Sequence, residues 1–118
     1  MNKAEYARLN SLVNGSFYPY WEDDYDTEAE VIDRYIRASW RDDVERTIEQ
    51  IDRYLSEHPA DLLAAFNAEF APMYIIGQTD AEAMAWLLGA RDQLRAHIDL
   101  APRRPPRSWF SRMLNGRY

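Results

Sequence analysis

The sequence of 118 residues contains no cysteine and only four glycines. Without cysteine, the chain has no disulfide bond, no thiolate nucleophile and no cysteine-bound metal. The glycines are scattered, which excludes a glycine-rich phosphate-binding loop. The two histidines, His58 and His97, have no partner at the spacing of a metal site or a catalytic triad, so we expect structural roles for both.

Long apolar runs are also missing. The longest are a few residues, whereas a membrane-spanning helix needs about 20. The segment that begins at Met1 has no apolar stretch of the signal-peptide kind. We therefore expect a cytoplasmic protein that does not associate with membranes.

Basic residues are scarce over most of the chain. Residues 1–99 hold all 20 acidic residues and nine basic ones, a net charge of −11, whereas five arginines lie beyond residue 99. An acidic body repels nucleic acid and attracts basic partners over about 8–10 Å. The alternative is that the negative charge serves only to keep the protein soluble. We expect no direct binding of nucleic acid by the body.

Apolar residues recur at helical spacing over most of the chain. Capping boxes at 27–30 and 79–82 mark the starts of two helices, and Pro59 follows the end of another. The segment 73–76 is either a short strand or a packed loop. We predict an all-α fold, a single-domain irregular bundle of about five helices.

The predicted core follows the apolar faces of these helices. Its members are Phe17, Trp21, Val31, Ile32, Ile48, Ile51, Leu55, Leu87 and Leu94. The helical domain is predicted over 1–101, and an Arg/Pro-rich tail that can form a short terminal helix over 102–118. The tail arginines stand beside Trp109, Phe110 and Tyr118, a mixture that can stack on nucleic acid or pack on the acidic body. We expect the tail to pack on the acidic body.

The most unusual segment is the loop 17–26, here called the acidic loop, which has five aromatic residues in its first nine positions. Tyrosine and tryptophan are enriched in protein–protein hot spots. We expect Phe17 and Trp21 to face the core, and the tyrosines and acids to face a protein partner. The candidate partner-binding residues are Tyr18, Tyr20, Glu22, Asp23, Asp24, Tyr25, Asp26, Glu28 and Asp33.

The carboxylates of this loop also have some similarity to a calcium-binding loop. Asp24 and Asp26 alternate with Tyr25, and Glu28 and Glu30 follow. The glycine of the sharp turn and the bidentate glutamate at the twelfth position are missing. We predict neither a metal site nor a cofactor.

Four motifs follow one another in a recognisable order over residues 9–98. They are Leu9-Asn10-Ser11-Leu12 with the acidic loop after it, Glu30-Val31-Ile32-Asp33-Arg34-Tyr35-Ile36, Ile51-Asp52-Arg53-Tyr54-Leu55, and Ala85-Trp86-Leu87. This order resembles the immunity proteins of bacterial contact-dependent growth inhibition systems, the CdiI type. Before the loop tryptophan the family has an aromatic residue, His, Gln and Asp, and this chain instead has Ser16, Tyr18, Pro19 and Tyr20.

The resemblance implies an immunity protein that binds and neutralises the cytoplasmic toxin domain of a large surface exoprotein. Such toxins are often nucleases, many acting on tRNA, and an acidic inhibitor suits their basic clefts. Independently, no residues of the chain combine a nucleophile with an oriented base, so we predict that it is not an enzyme. The alternative is a non-catalytic regulatory or scaffold module that binds another cellular protein.

Overall fold

The computed structural model describes residues 3–105, which form helices joined by short loops. The chain begins with a continuous helical segment made of a 3-10 turn (Lys3–Tyr6), α1 (Ala7–Asn10) and a π-helical turn (Ser11–Ser16). The other helices are α2 (Glu28–Arg37), α3 (Arg41–Glu57), α4 (Leu62–Phe70) and α5 (Asp80–Ala96), with 3-10 turns at Trp21–Asp23 and Ile98–Leu100. No strand occurs among residues 3–105, and the predicted all-α fold is confirmed.

The local sequence determines where α2 begins and which face it buries. The Thr27 hydroxyl accepts a hydrogen bond from the Glu30 backbone N–H at 3.2 Å, as the capping box predicts. Acidic residues in the first turn and arginines in the last complement the helix dipole. The buried face consists of Val31, Ile32, Tyr35 and Ile36. The helix contacts α5 and the π-helical turn.

The buried face of α3 differs from the predicted one. This helix contacts both α1 and α5, and its buried residues are Val44, Thr47, Gln50, Ile51 and Tyr54. Ile48 and Leu55, which were predicted as core residues, are half-buried and pack against the core. Thr47 takes an inward position because its hydroxyl lies 2.8 Å from the Tyr35 hydroxyl and donates to the Asp43 carbonyl at 2.9 Å.

The remaining predicted core residues are buried. They are Phe17, Trp21, Val31, Ile32, Ile51, Leu87 and Leu94. Aromatic rings join α3 to its neighbours: the Tyr54 ring lies 5.1 Å from that of Tyr6 and 5.5 Å from that of Phe70. Such contacts between aromatic rings add about 0.5–1.5 kcal/mol each beyond the area that they bury.

The segment between α4 and α5 is a packed loop, which decides between the two predicted alternatives. Side-chain exposure alternates along it: Met73 and Ile75 are exposed, Tyr74 is half-buried and Ile76 is buried. No strand pairs with it among the described residues. The loop therefore presents two apolar side chains to solvent.

Gly77 allows this loop to approach the start of α5. A Cβ atom at this position would lie 2.8 Å from the Ala83 backbone nitrogen and 2.8 Å from the Glu82 Cβ. We expect Gly77→Ala to lower the free energy of unfolding by about 1–3 kcal/mol, the usual effect of overpacking.

Gly89→Ala is the matched control, because no atom lies within 4 Å of its added Cβ. Alanine there should stabilise α5 by about 0.5–1 kcal/mol. Urea denaturation of both variants checks this, and equal midpoints would contradict the close approach.

The end of the described chain packs on the start of α3. The Arg41 backbone N–H donates to the Pro102 carbonyl at 2.8 Å. Arg104 forms ion pairs with Asp42 at 3.0 Å and with Asp43 at 2.9 Å. Residues 102–104 thus contact the helical body, and the division at residue 101 stays a prediction. Outside the described residues lie the predicted terminal helix and the aromatic residues Trp109, Phe110 and Tyr118.

Candidate partner-binding surface

The acidic loop has a backbone held by its own hydrogen bonds. The Trp21 N–H donates to the Tyr18 carbonyl at 3.1 Å, and the Asp23 N–H donates to the Tyr20 carbonyl at 3.0 Å. These bonds build the 3-10 turn, and Thr27, the N-cap of α2, directly follows the acidic loop. The loop therefore displays its outward side chains from an ordered backbone.

Four aromatic rings anchor the inner side of this loop, and we call them the aromatic cluster: Phe17, Trp21, Tyr74 and Trp86. The Phe17 ring stacks on Tyr74 at 4.7 Å and lies 5.5 Å from Trp21 and 5.6 Å from Trp86. Phe17 and Trp21 are buried, with 1% and 9% of their surface exposed. The cluster ties the acidic loop to the 71–79 loop and to α5.

The outward side of the loop is acidic. We define its acidic face as Glu22, Asp23, Asp24 and Asp26, all of which are exposed. Tyr20 stands beside them with 78% of its surface exposed. Four carboxylates within five residues on an ordered loop make a compact negative surface, which favours a basic partner.

Two of the predicted outward tyrosines do not stand free in solvent. Tyr18 and Tyr25 are half-buried and pack against the core. Only part of each of these two side chains is exposed, and their contact with a partner stays a prediction. Tyr18 donates a hydrogen bond to the Asp24 carboxylate. This bond stabilises the protonated phenol and raises the pKa of Tyr18 to about 12.

Two candidate residues lie on α2 rather than on the loop. Glu28, the first residue of α2, is exposed. Asp33 is instead bound within the chain: its carboxylate lies 2.7 Å from His97 Nδ1 and accepts a hydrogen bond from Gln93 at 2.8 Å. Partial burial acts to raise the pKa of Asp33, but the hydrogen bonds from His97 and Gln93 outweigh it and lower that pKa. Asp33 is thus committed to the contact between α2 and the end of α5.

The lowered pKa of Asp33 predicts a loss of stability in acid. A carboxyl group whose pKa falls on folding stabilises the protein above its unfolded pKa of about 3.9. That contribution disappears as the pH drops through the lower folded value. Exposed ion pairs contribute about 0–1 kcal/mol, so Asp33→Asn should lower the melting temperature at pH 7 by no more than about 5 °C.

The measurement is a series of melting curves from neutral to acidic pH. The difference between wild type and Asp33→Asn should vanish at the acidic end, where both side chains are uncharged. Glu45→Gln, at an exposed position of α3, makes the same change in charge and should leave the melting temperature unchanged. A difference that persists unchanged in strong acid would show that charge is not its cause.

A separate groove of about 680 Å³ lies between the N-terminal segment and α3. Its lining carries both signs of charge: Glu5, Arg46, Glu49, Gln50, Arg53 and Glu57. Arg53 already donates to the Glu5 carbonyl at 2.7 Å and lies over the Tyr6 ring. The groove therefore favours neither an anionic nor a cationic ligand.

Residues 3–105 contain neither a group of metal ligands nor a helix suited to span a membrane. Within this range no group of three or more His, Asp or Glu side chains is placed to hold a metal ion. None of the helices described there is long and apolar enough to cross a membrane. His58 packs against the Tyr54 ring at 4.3 Å, and His97 pairs with Asp33. Both histidines have structural contacts, in line with the prediction for them.

Sequence reasoning missed Met73, Ile75 and Trp86 as parts of this region. Met73 and Ile75 share one shallow groove with Tyr20 and Glu22. The signal in the sequence was that two large apolar residues, Met73 and Ile75, alternate with Tyr74 and Ile76 in a segment that was not assigned to a helix. Trp86 closes the aromatic cluster from α5, and its half-burial depends on contacts with residues far away in the sequence.

Comparison with known proteins gives a family match over most of the chain. The family model for the CdiI immunity protein matches residues 5–94, from the N-terminal helical segment to α5, and includes the acidic loop. No curated protein and no solved structure matches the chain. Since the matched range is well over half of the 118 residues, the chain belongs to the CdiI immunity protein family.

Proposed function

We propose that this chain binds the toxin domain of a contact-dependent growth inhibition system in the cytoplasm and blocks its activity without catalysing a reaction. Family membership supports a neutralising role. The absence of a metal-binding cluster among the described residues is compatible with it but does not argue for it. The proposal therefore depends on whether the chain has a surface that is suited to bind the toxin domain.

The observation that carries the proposal is the acidic face. Its four carboxylates are exposed, lie within five residues of the chain and stand on a loop that hydrogen bonds and the aromatic cluster hold in place. A preformed surface loses little conformational entropy on binding. Its charge selects a basic target and speeds the encounter.

We infer that the toxin is a nuclease, with tRNA as the first substrate to test. A nuclease binds phosphates through lysine and arginine side chains, and those side chains are the natural complement of the acidic face. Inhibition follows if the acidic face occupies or covers the phosphate-binding cleft.

A growth-competition assay tests the neutralising role. Target cells that express this chain should survive attackers that carry the toxin domain encoded beside it. Cells that express an unrelated immunity protein should be killed, and they are the control. Death of the cells that express this chain, at full protein level, would reject the proposal. Survival with no complex between chain and toxin would reject the binding mechanism.

A further inference from the structure

Three large apolar side chains of the described residues stand in solvent beside the acidic face. Tyr20, Met73 and Ile75 have 78%, 74% and 60% of their surface exposed. They line one shallow groove of about 180 Å³, to which Glu22 also contributes. We call these three side chains the apolar patch. Two loops, more than 50 residues apart in sequence, thus bring their exposed apolar residues together.

The exposure of Met73 and Ile75 follows from what lies beneath them. Tyr74, between them, stacks on Phe17 at 4.7 Å and lies 5.8 Å from Trp21. Ile76 is buried in the core. Since Tyr74 and Ile76 face the core, the alternating side chains of Met73 and Ile75 are left on the solvent side.

Tyr20 has a backbone conformation that is unfavourable for its side chain. Its φ and ψ of 68° and 22° lie in the left-handed region, which a bulky residue rarely adopts. Asparagine or glycine fits this conformation better. With most of its surface exposed, the Tyr20 ring gains little from this chain in return. Strain of this kind is concentrated at functional sites.

We propose that the apolar patch inserts into an apolar recess on the toxin domain that is rimmed by lysine and arginine side chains. The inference rests on the proposed function and adds the energetic centre of the contact. Interface hot spots combine a desolvated apolar centre with a polar rim. Here the apolar patch supplies the centre, and Glu22, which lines the same groove, supplies an acidic rim beside it. The acidic side chain beside the patch requires basic side chains at the matching position on the partner.

Two variants of the intact chain test the centre of this contact. Tyr20→Asn removes the ring and keeps a residue suited to the left-handed backbone. Met73→Ser with Ile75→Ser removes the apolar side chains of the other loop. Because loss of a hot spot weakens binding by about 30-fold or more, we expect that loss from each variant. Melting temperatures should stay within a few degrees of wild type, since the replaced side chains are exposed.

Two control variants separate the patch from general effects. Tyr20→Phe keeps the ring and should keep the affinity. Leu100→Ser removes another exposed apolar side chain, which lies in a different groove beside Asp33 and His97, and should bind as wild type does. The probe is the toxin domain encoded beside this chain, inactivated at its catalytic residue. Titration calorimetry at several temperatures should give a less negative heat-capacity change for the patch variants, because they bury less apolar surface.

The outcomes separate this inference from the proposed function. Strong wild-type binding with unchanged affinity in both patch variants would overturn the apolar centre and leave the neutralising role intact. No wild-type binding would overturn both. A wild-type dimer that the patch variants dissolve, with toxin affinity unchanged, would assign the patch to a second copy of this chain and overturn the inference as stated.

Discussion

Trp21→Ala should lower the free energy of unfolding by about 3–5 kcal/mol, the range for removal of a buried large aromatic side chain. Trp21 is 9% exposed, and its ring meets Phe17 at 5.5 Å and Tyr74 at 5.8 Å. Its loss would leave a cavity beneath the acidic loop and release that loop from the 71–79 loop. Urea denaturation measures the change.

The control for this variant is the preceding residue. Tyr20→Ala removes a ring that is 78% exposed and should change stability by no more than about 0.5 kcal/mol. A Trp21→Ala protein with wild-type stability and lost toxin affinity would place Trp21 in the interface instead of the core.

Reversing two charges of the acidic face should slow association with the toxin domain. We choose Glu22→Lys with Asp23→Lys, because Asp24 accepts the hydrogen bond of Tyr18 and its replacement would disturb the loop itself. Electrostatic steering changes association rates by about 10- to 1000-fold. We expect a loss of at least about tenfold in the association rate at low salt, with a smaller change in dissociation.

The matched control reverses the same amount of charge elsewhere. Glu45 and Glu49 are exposed on α3, and Glu49 lines the separate groove beside the N-terminal segment. Glu45→Lys with Glu49→Lys should slow association much less, although the net charge of the chain is identical. Stopped-flow measurements over a range of salt concentrations compare the two. Equal slowing by both variants would show that overall charge, and not the acidic face, steers the toxin.

Local signals in the sequence were sufficient for the starts of α2 and α5 and for the two aromatic residues that anchor the acidic loop. The Thr27 and Thr79 caps form as predicted because capping depends on residues within one turn. Phe17 and Trp21 are buried because large aromatic rings beside two amphipathic helices gain most by facing the core.

Long-range contacts explain what sequence reasoning missed. The buried face of α3 includes Thr47 because a tyrosine of another helix satisfies its hydroxyl, a pairing that no local pattern reveals. Asp33, which was expected to face a partner, also pairs with His97, 64 residues away, a contact that the local sequence does not indicate. The apolar patch depends on contacts such as the stacking of Phe17 on Tyr74, which bring two distant loops together.

The most direct test of the central claim is a titration of purified toxin domain with this purified chain, with cleavage of tRNA and other nucleic acids as the readout. Tight binding to a preformed acidic surface predicts that cleavage falls linearly and ends near one equivalent of the chain. The Glu22→Lys, Asp23→Lys variant should need a large excess at the same concentrations. Undiminished cleavage at a large excess of the wild-type chain would contradict the account.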